Sequence, residues 1–144
     1  TLASLGALLL VGAFAGGGGA AMGCSGWPLC NNQLIPTGDF AGMWQVWIIY
    51  VHRLLTILTA ALALMLGWRW RHHKVPALRT NARLAANWMI LQIGLGALNP
   101  LFLIPPAVAV AHLGVATIIW AHVVVMAVIG LGVLPAAETK APTR

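Results

Sequence analysis

Four apolar runs divide this chain, at about residues 2–22, 43–67, 82–98 and 107–134. A hydrocarbon core of roughly 30 Å takes about 20 helical residues per crossing, so runs of this kind occupy most of the 144 residues. Composition agrees: 60% hydrophobic residues, 7% charged residues and a mean hydropathy of +0.90 exclude an ordinary soluble domain. The expected architecture is an all-α integral membrane protein, a single domain over residues 1–144 built as a four-transmembrane-helix bundle. No length is left for a separate soluble catalytic domain.

The segments between the runs set the orientation. Residues 23–42 carry Cys24, Pro28, Cys30 and Pro36, while Asn99, Pro100, Pro105 and Pro106 separate the third run from the fourth. Residues 68–81 are different in kind. Of eight Lys and Arg residues, five (Arg69, Arg71, Lys74, Arg79 and Arg83) lie in or beside that loop, and Lys140 and Arg144 lie in the tail, 135–144. The positive-inside rule then puts loop, tail and both termini in the cytoplasm of a multi-pass cell (plasma) membrane protein in contact with membrane lipids, and the cysteine loop outside. Trp44 and Trp47 fall at the outer interface of this map, and Trp68, Trp70 and Trp88 at the inner one. Because the cations form a topological signal and no aromatic-lined basic groove accompanies them, the net charge of +6 does not point to nucleic acid. The first run also has the look of a secretory signal core, but it is long for one and no basic leader precedes it. Its Gly12, Gly16, Gly17, Gly18 and Gly19 read better as a small-residue face for a neighbouring helix.

Against this apolar background His52 and His112 stand out, each inside its own run. An ionisable group at membrane depth marks a functional site by default, since burying it unpartnered costs several kcal/mol. His52 lies about nine residues below the outer start of its helix and His112 about five below that of the fourth, so both sit roughly 8 to 14 Å into the outer leaflet. Two imidazoles at matched depth on two helices of one bundle suit the axial ligation of a haem iron. The alternative is a simple hydrogen bond from each ring to a neighbouring carbonyl. Arg53 follows His52 directly, and the only acids, Asp39 and Glu138, lie in loop and tail. A haem propionate would supply the missing counter-charge, with lipid phosphate as the alternative. His122 is ten residues beyond His112 and about 80° round the helix, so it cannot share an iron with it and is expected to be packed or hydrogen-bonded, with a second ligand or a proton relay as the alternative. His72 and His73 belong to the basic loop and are expected to be solvated, with a metal site as the alternative. Placed outside, Cys24 and Cys30 are expected to form a disulfide, with a reducible thiol pair and a metal clip as alternatives. No CxxCH occurs, so covalent haem attachment has no support.

The run Cys24-Ser25-Gly26-Trp27-Pro28-Leu29-Cys30, followed by Gln33-Leu34-Ile35-Pro36, resembles the cysteine loop of the haem A synthase family. The resemblance continues through Tyr50-Val51-His52-Arg53, Leu91-Gln92-Ile93-Gly94-Leu95-Gly96-Ala97, Pro105-Pro106 and Ala111-His112-Leu113. It implies an oxidoreductase that converts the methyl group of haem O to the formyl group of haem A. His52 and His112 would act catalytically as the axial ligands, and the cofactor would be haem b, haem O or both. Family members typically have two similar four-helix halves, each with such a histidine pair, and this chain resembles one half. A homo-oligomer of at least two copies is therefore expected, with a haem O synthase or terminal oxidase assembly factors as further partners. One position departs from the pattern. The family usually has a glutamate three residues before the helix-two histidine, and here that position is Ile49, which puts the catalytic details in doubt. Tyr50 is read as structural, with a radical or proton-transfer role as the alternative. The rival to an enzyme is a bis-His haem b protein acting in electron transfer or haem delivery; a cofactor-free membrane subunit is the third reading.

Overall fold

A computed structural model describes residues 1–39, 42–102 and 106–132. The expected tail, with Lys140 and Arg144, lies outside them, as do Pro105 and the last residues of the expected fourth run. The described residues form four helices and no strand: α1 (Leu2–Gly17), α2 (Trp44–Arg69), α3 (Pro76–Leu101) and α4 (Pro106–Gly130), with a single 3-10 turn at Ala20–Met22 after α1.

Helix ends depart from the apolar runs for identifiable reasons. The first helix stops at Gly17 rather than near residue 22, because four consecutive glycines each weaken a helix by about 1 kcal/mol relative to alanine. Gly19 then takes a left-handed conformation, φ 71°, which ends the helix cheaply only without a Cβ. The third helix begins at Pro76, six residues before its apolar run. Proline has the right φ for a first turn and no N–H to leave unpaired, and the turns that follow carry Arg79 and Arg83, so hydropathy marks an apolar stretch rather than a helix boundary. That helix also continues through Pro100 to Leu101. Pro100 has no N–H to give the Gly96 carbonyl, a loss tolerated in a last turn.

By length and composition α2 and α4 are apolar enough to cross a membrane, and α1 is an apolar helix of 16 residues. Large apolar side chains such as Ile57, Met65, Ile90, Val110 and Leu113 point outward from the bundle. Packing runs in a ring, α1 against α2, α2 against α3, α3 against α4 and α4 back against α1, so α2 and α4 stand diagonally opposite.

The core is confined to one end of this ring. It is built from Leu5 and Leu8 of α1, Ala60 and Ala63 of α2, Leu78, Ala82, Ala85 and Met89 of α3, and Val115, Ile119, Val123 and Met126 of α4. On α2 and α4 every one of these lies beyond the histidine, toward the basic loop. Small residues bring the backbones close there: a Cβ on Gly67 would stand 2.7 Å from the Ala86 Cβ. A shallow apolar groove of about 330 Å³ between Leu2, Leu66, Trp70, Val123 and Met126 opens at this same end, away from both histidines.

Candidate functional site

The opposite end of the bundle holds His52 on α2 and His112 on α4. Each is backed by a glycine on the preceding helix. A Cβ on Gly12 of α1 would come within 3.0 Å of His52 Cε1, and one on Gly96 of α3 within 3.1 Å of His112 Cε1. The chain thus repeats one device, a glycine on an odd-numbered helix that makes room for an imidazole on the next.

Neither ring bonds a carbonyl among the described residues. Among the described residues the side chain of His52 makes no hydrogen bond, and its Nδ1 is buried without a partner. His112 Nδ1 is likewise buried and unpartnered, while its Nε2 lies 3.2 Å from the amide nitrogen of Gln92. Buried polar atoms are nearly always paired in folded proteins, so two imidazoles with unused nitrogens on diagonal helices mark a place where a ligand would bind. No cluster of three or more metal-ligating side chains occurs among the described residues, which leaves the histidine pair as the donor set. A haem iron, which brings four nitrogens of its own and needs one or two from protein, suits such a pair.

Arg53 is differently placed from the sequence expectation. Its guanidinium donates to the carbonyls of Leu29 at 2.7 Å, Pro28 at 3.1 Å and Gly26 at 2.8 Å. The chain supplies partners after all, as backbone dipoles instead of a carboxylate, because those carbonyls turn inward from the loop that Cys24 and Cys30 close. The two cysteines are paired, with Cα atoms 4.8 Å apart. Asn31, at φ 51°, ties the loop together by accepting from the Ser25 N–H and hydroxyl at 2.8 and 2.9 Å, and Cys30 and Gln33 exchange backbone hydrogen bonds. The next residue on α2 after a candidate ligand therefore holds the loop at the mouth of the site.

The remaining expectations sort cleanly. His122 is hydrogen-bonded, with Nδ1 2.7 Å from Asn81 Oδ1, and is remote from the histidine pair in sequence and on the helix. His72 is exposed, and His73 Nδ1 accepts from the Val75 N–H at 3.1 Å. Tyr50 packs edge-on against Trp47, ring centroids 5.8 Å apart, as a structural residue does. Ile49 supplies no acid or base. Residue order names Gln92 only as part of the helix-three run and not as a site residue, although a buried amide inside an apolar run carries a cost that calls for a partner, and its spacing of four from Gly96 places both on one helix face.

The chain has relatives among known proteins. Residues 1–124 match the family model COX15-CtaA, described as cytochrome oxidase assembly protein. A Heme A synthase from Symbiobacterium thermophilum is 36% identical over 114 residues, which is 78% of this chain and 36% of that protein. A second, from Rhodospirillum centenum, is 34% identical over 131 residues, 82% of this chain and 34% of that protein. The chain spans about a third of the length of these relatives. No solved structure is significantly similar to it. With the match running through all four helices as far as residue 124, the chain belongs to the COX15-CtaA family of cytochrome oxidase assembly proteins.

Proposed function

We propose that this chain holds a haem between α2 and α4, with His52 and His112 as axial ligands, and that it takes part in the conversion of haem O to haem A. The observation that carries the proposal is the pair of ring nitrogens left unused in the half of the bundle without a packed core. Relatives named Heme A synthase supply the reaction class.

The bundle is read as four crossings of a cell membrane, with the cysteine loop outside and the basic loop and both termini inside. When bound, the porphyrin iron supplies the redox chemistry, and haem O is the substrate whose methyl group becomes a formyl group. The residues of the chain do the rest. Gly12 and Gly96 fix how closely the rings approach α1 and α3, and the packed end holds the four helices in register. Arg53 keeps the disulfide-closed loop over the mouth, which excludes water, and its charge, met only by carbonyls, attracts a propionate. With both histidines holding the iron, the chain would suit electron transfer, and oxidation of a substituent would need one of the two to be free of it.

One observation favours a second reading. With Ile49 on α2 and no carboxylate on any described helix, the described residues set no carboxylate beside the histidines for acid–base chemistry. A bis-His haem b module for electron transfer or haem delivery, paired with a second copy or a companion half that performs the chemistry, needs none. A haem O synthase or oxidase assembly factors would be its neighbours.

Haem extraction from the purified chain, after co-expression with a source of haem O, separates these readings. A formyl or hydroxymethyl haem is expected from an enzyme and unchanged haem from a carrier. A colourless protein would overturn both.

A further inference from the structure

We infer that Thr59 and Gln92 form a subsite that recognises a hydroxyl group of the ligand; on the haem-binding reading above, on which this step rests, it is the hydroxyl that haem O carries and haem b lacks. Thr59 of α2 is 0% exposed, and its Oγ1 has no hydrogen-bond partner among the described residues. A hydroxyl inside a helix ordinarily bonds a carbonyl one turn back. Thr56 donates to the His52 carbonyl at 2.8 Å, Thr117 to that of Leu113 at 3.0 Å, and Ser4 to that of Thr1 at 2.9 Å. Thr59 does not follow them. Gln92 of α3, 9% exposed, has the complementary gap: its Oε1 is buried and unpartnered, while its amide nitrogen lies 3.2 Å from His112 Nε2, at the edge of the histidine site.

Helix register brings the two residues to one level. Consecutive and antiparallel, α2 and α3 meet where Gly67 packs against Ala82 and Ala86. Eight residues back along α2 stands Thr59, and eight residues on along α3 stand residues 90–94, with Gln92 at their centre. Thr59 is also seven residues beyond His52, two turns deeper and about 20° round the same face. Both residues thus stand between the histidines and the packed end, on the side away from the Arg53 guanidinium and its loop. One hydroxyl satisfies both, accepting from the Thr59 O–H and donating to the Gln92 carbonyl oxygen. A vinyl or methyl group satisfies neither and leaves two buried polar atoms unpaired, which is costly. Haem O carries a hydroxyalkyl chain where haem b has a vinyl group, on the half of the macrocycle away from the propionates. With a propionate drawn to Arg53, that chain falls on the side of Thr59 and Gln92.

The test compares two ligands on the full chain in detergent micelles: haem b and haem O, each titrated separately and followed by its optical spectrum. The wild type is expected to prefer haem O. Thr59→Val, similar in shape but without the hydroxyl, is expected to lose roughly tenfold of that preference through weaker haem O binding, with haem b binding unchanged. Thr59→Ser, which keeps the hydroxyl, is expected to retain it. The haem-free chain supplies a second readout. A methyl group in place of an unpaired buried hydroxyl leaves nothing unsatisfied, so haem-free Thr59→Val is expected to unfold at the same temperature or later. A thermal midpoint several degrees lower would mean that the hydroxyl is bonded within the chain, and overturns the subsite. So does an unchanged preference in Thr59→Val, which a site holding only a water molecule predicts and which leaves the haem-binding reading standing. Uptake of neither haem by the wild type sinks both.

Discussion

The two ends of this bundle are built on opposite rules. At the basic-loop end, Ala60, Ala63, Ala82 and Ala85 interleave with Met89, Ile119 and Met126, and the buried side chains are nearly all apolar. At the loop-capped end the interior holds two imidazoles and an amide with polar atoms unpartnered among the described residues, and a glycine backs each imidazole. In a bilayer, helices gain little from the hydrophobic effect between themselves and depend on close packing. One end thus supplies stability and the other is left free to hold something. Glycine appears at both ends for different reasons: Gly67 lets two backbones meet, whereas Gly12 and Gly96 let a ring lie against a helix.

The contrast is broken most severely at the histidines. His52→Ala and His112→Ala are each expected to cut haem content by more than the 10- to 100-fold typical of losing an outer-sphere partner. They should leave the thermal midpoint of the haem-free bundle nearly unchanged, because neither ring contributes a bond to the packed end. Pigment content and circular dichroism measured side by side check both halves of that statement, and a large loss of helix in either variant would erase the distinction between the ends.

Glycine exchange sharpens it. Gly67→Ala places a Cβ 2.7 Å from that of Ala86 and is expected to cost about 1 to 3 kcal/mol by overpacking, read as earlier unfolding in denaturant with the haem spectrum intact. Gly96→Ala is expected to do the reverse. Its Cβ, 3.1 Å from His112 Cε1, displaces the ring and shifts the haem spectrum, while the gain of about 1 kcal/mol in helix propensity leaves unfolding the same or later.

The smallest expected effects belong to the cap. Reducing the Cys24–Cys30 pair should cost about 2 kcal/mol, confined to the loop, since the closed ring is short. Arg53→Lys should add to it, because one ammonium cannot match a planar fork that reaches three carbonyls. Faster amide exchange at Cys30 and Asn31, whose N–H groups are bonded within the loop, with helix amides unaffected, is the measurement. Loosening that spread along α1 to α4 would show that the cap carries the bundle.

Much of this was legible in residue order, for a physical reason. Apolar runs, loop prolines and clustered cations report on the environment each segment needs, so the four helices and the isolation of His52, Arg53 and His112 follow directly. Even there the signal measures hydropathy rather than hydrogen bonding: it placed the start of α3 at residue 82, where Pro76 opens the helix, and carried α1 through glycines that end it. The angular offset of His122 separates it from His112, but nothing linear names Asn81, 41 residues earlier, as its partner.

The sequence by itself determined the helical class, the paired-cysteine loop and which side chains are out of place in an apolar run, because these depend on the chemistry of each residue and its near neighbours. Only the tertiary structure decided that α2 and α4 stand diagonally, that Arg53 turns to Gly26, Pro28 and Leu29, and that Gln92 meets His112. Those contacts join residues 20 to 27 positions apart. They arise from the rotation of each helix about its own axis, which is fixed by packing at the far end of the bundle.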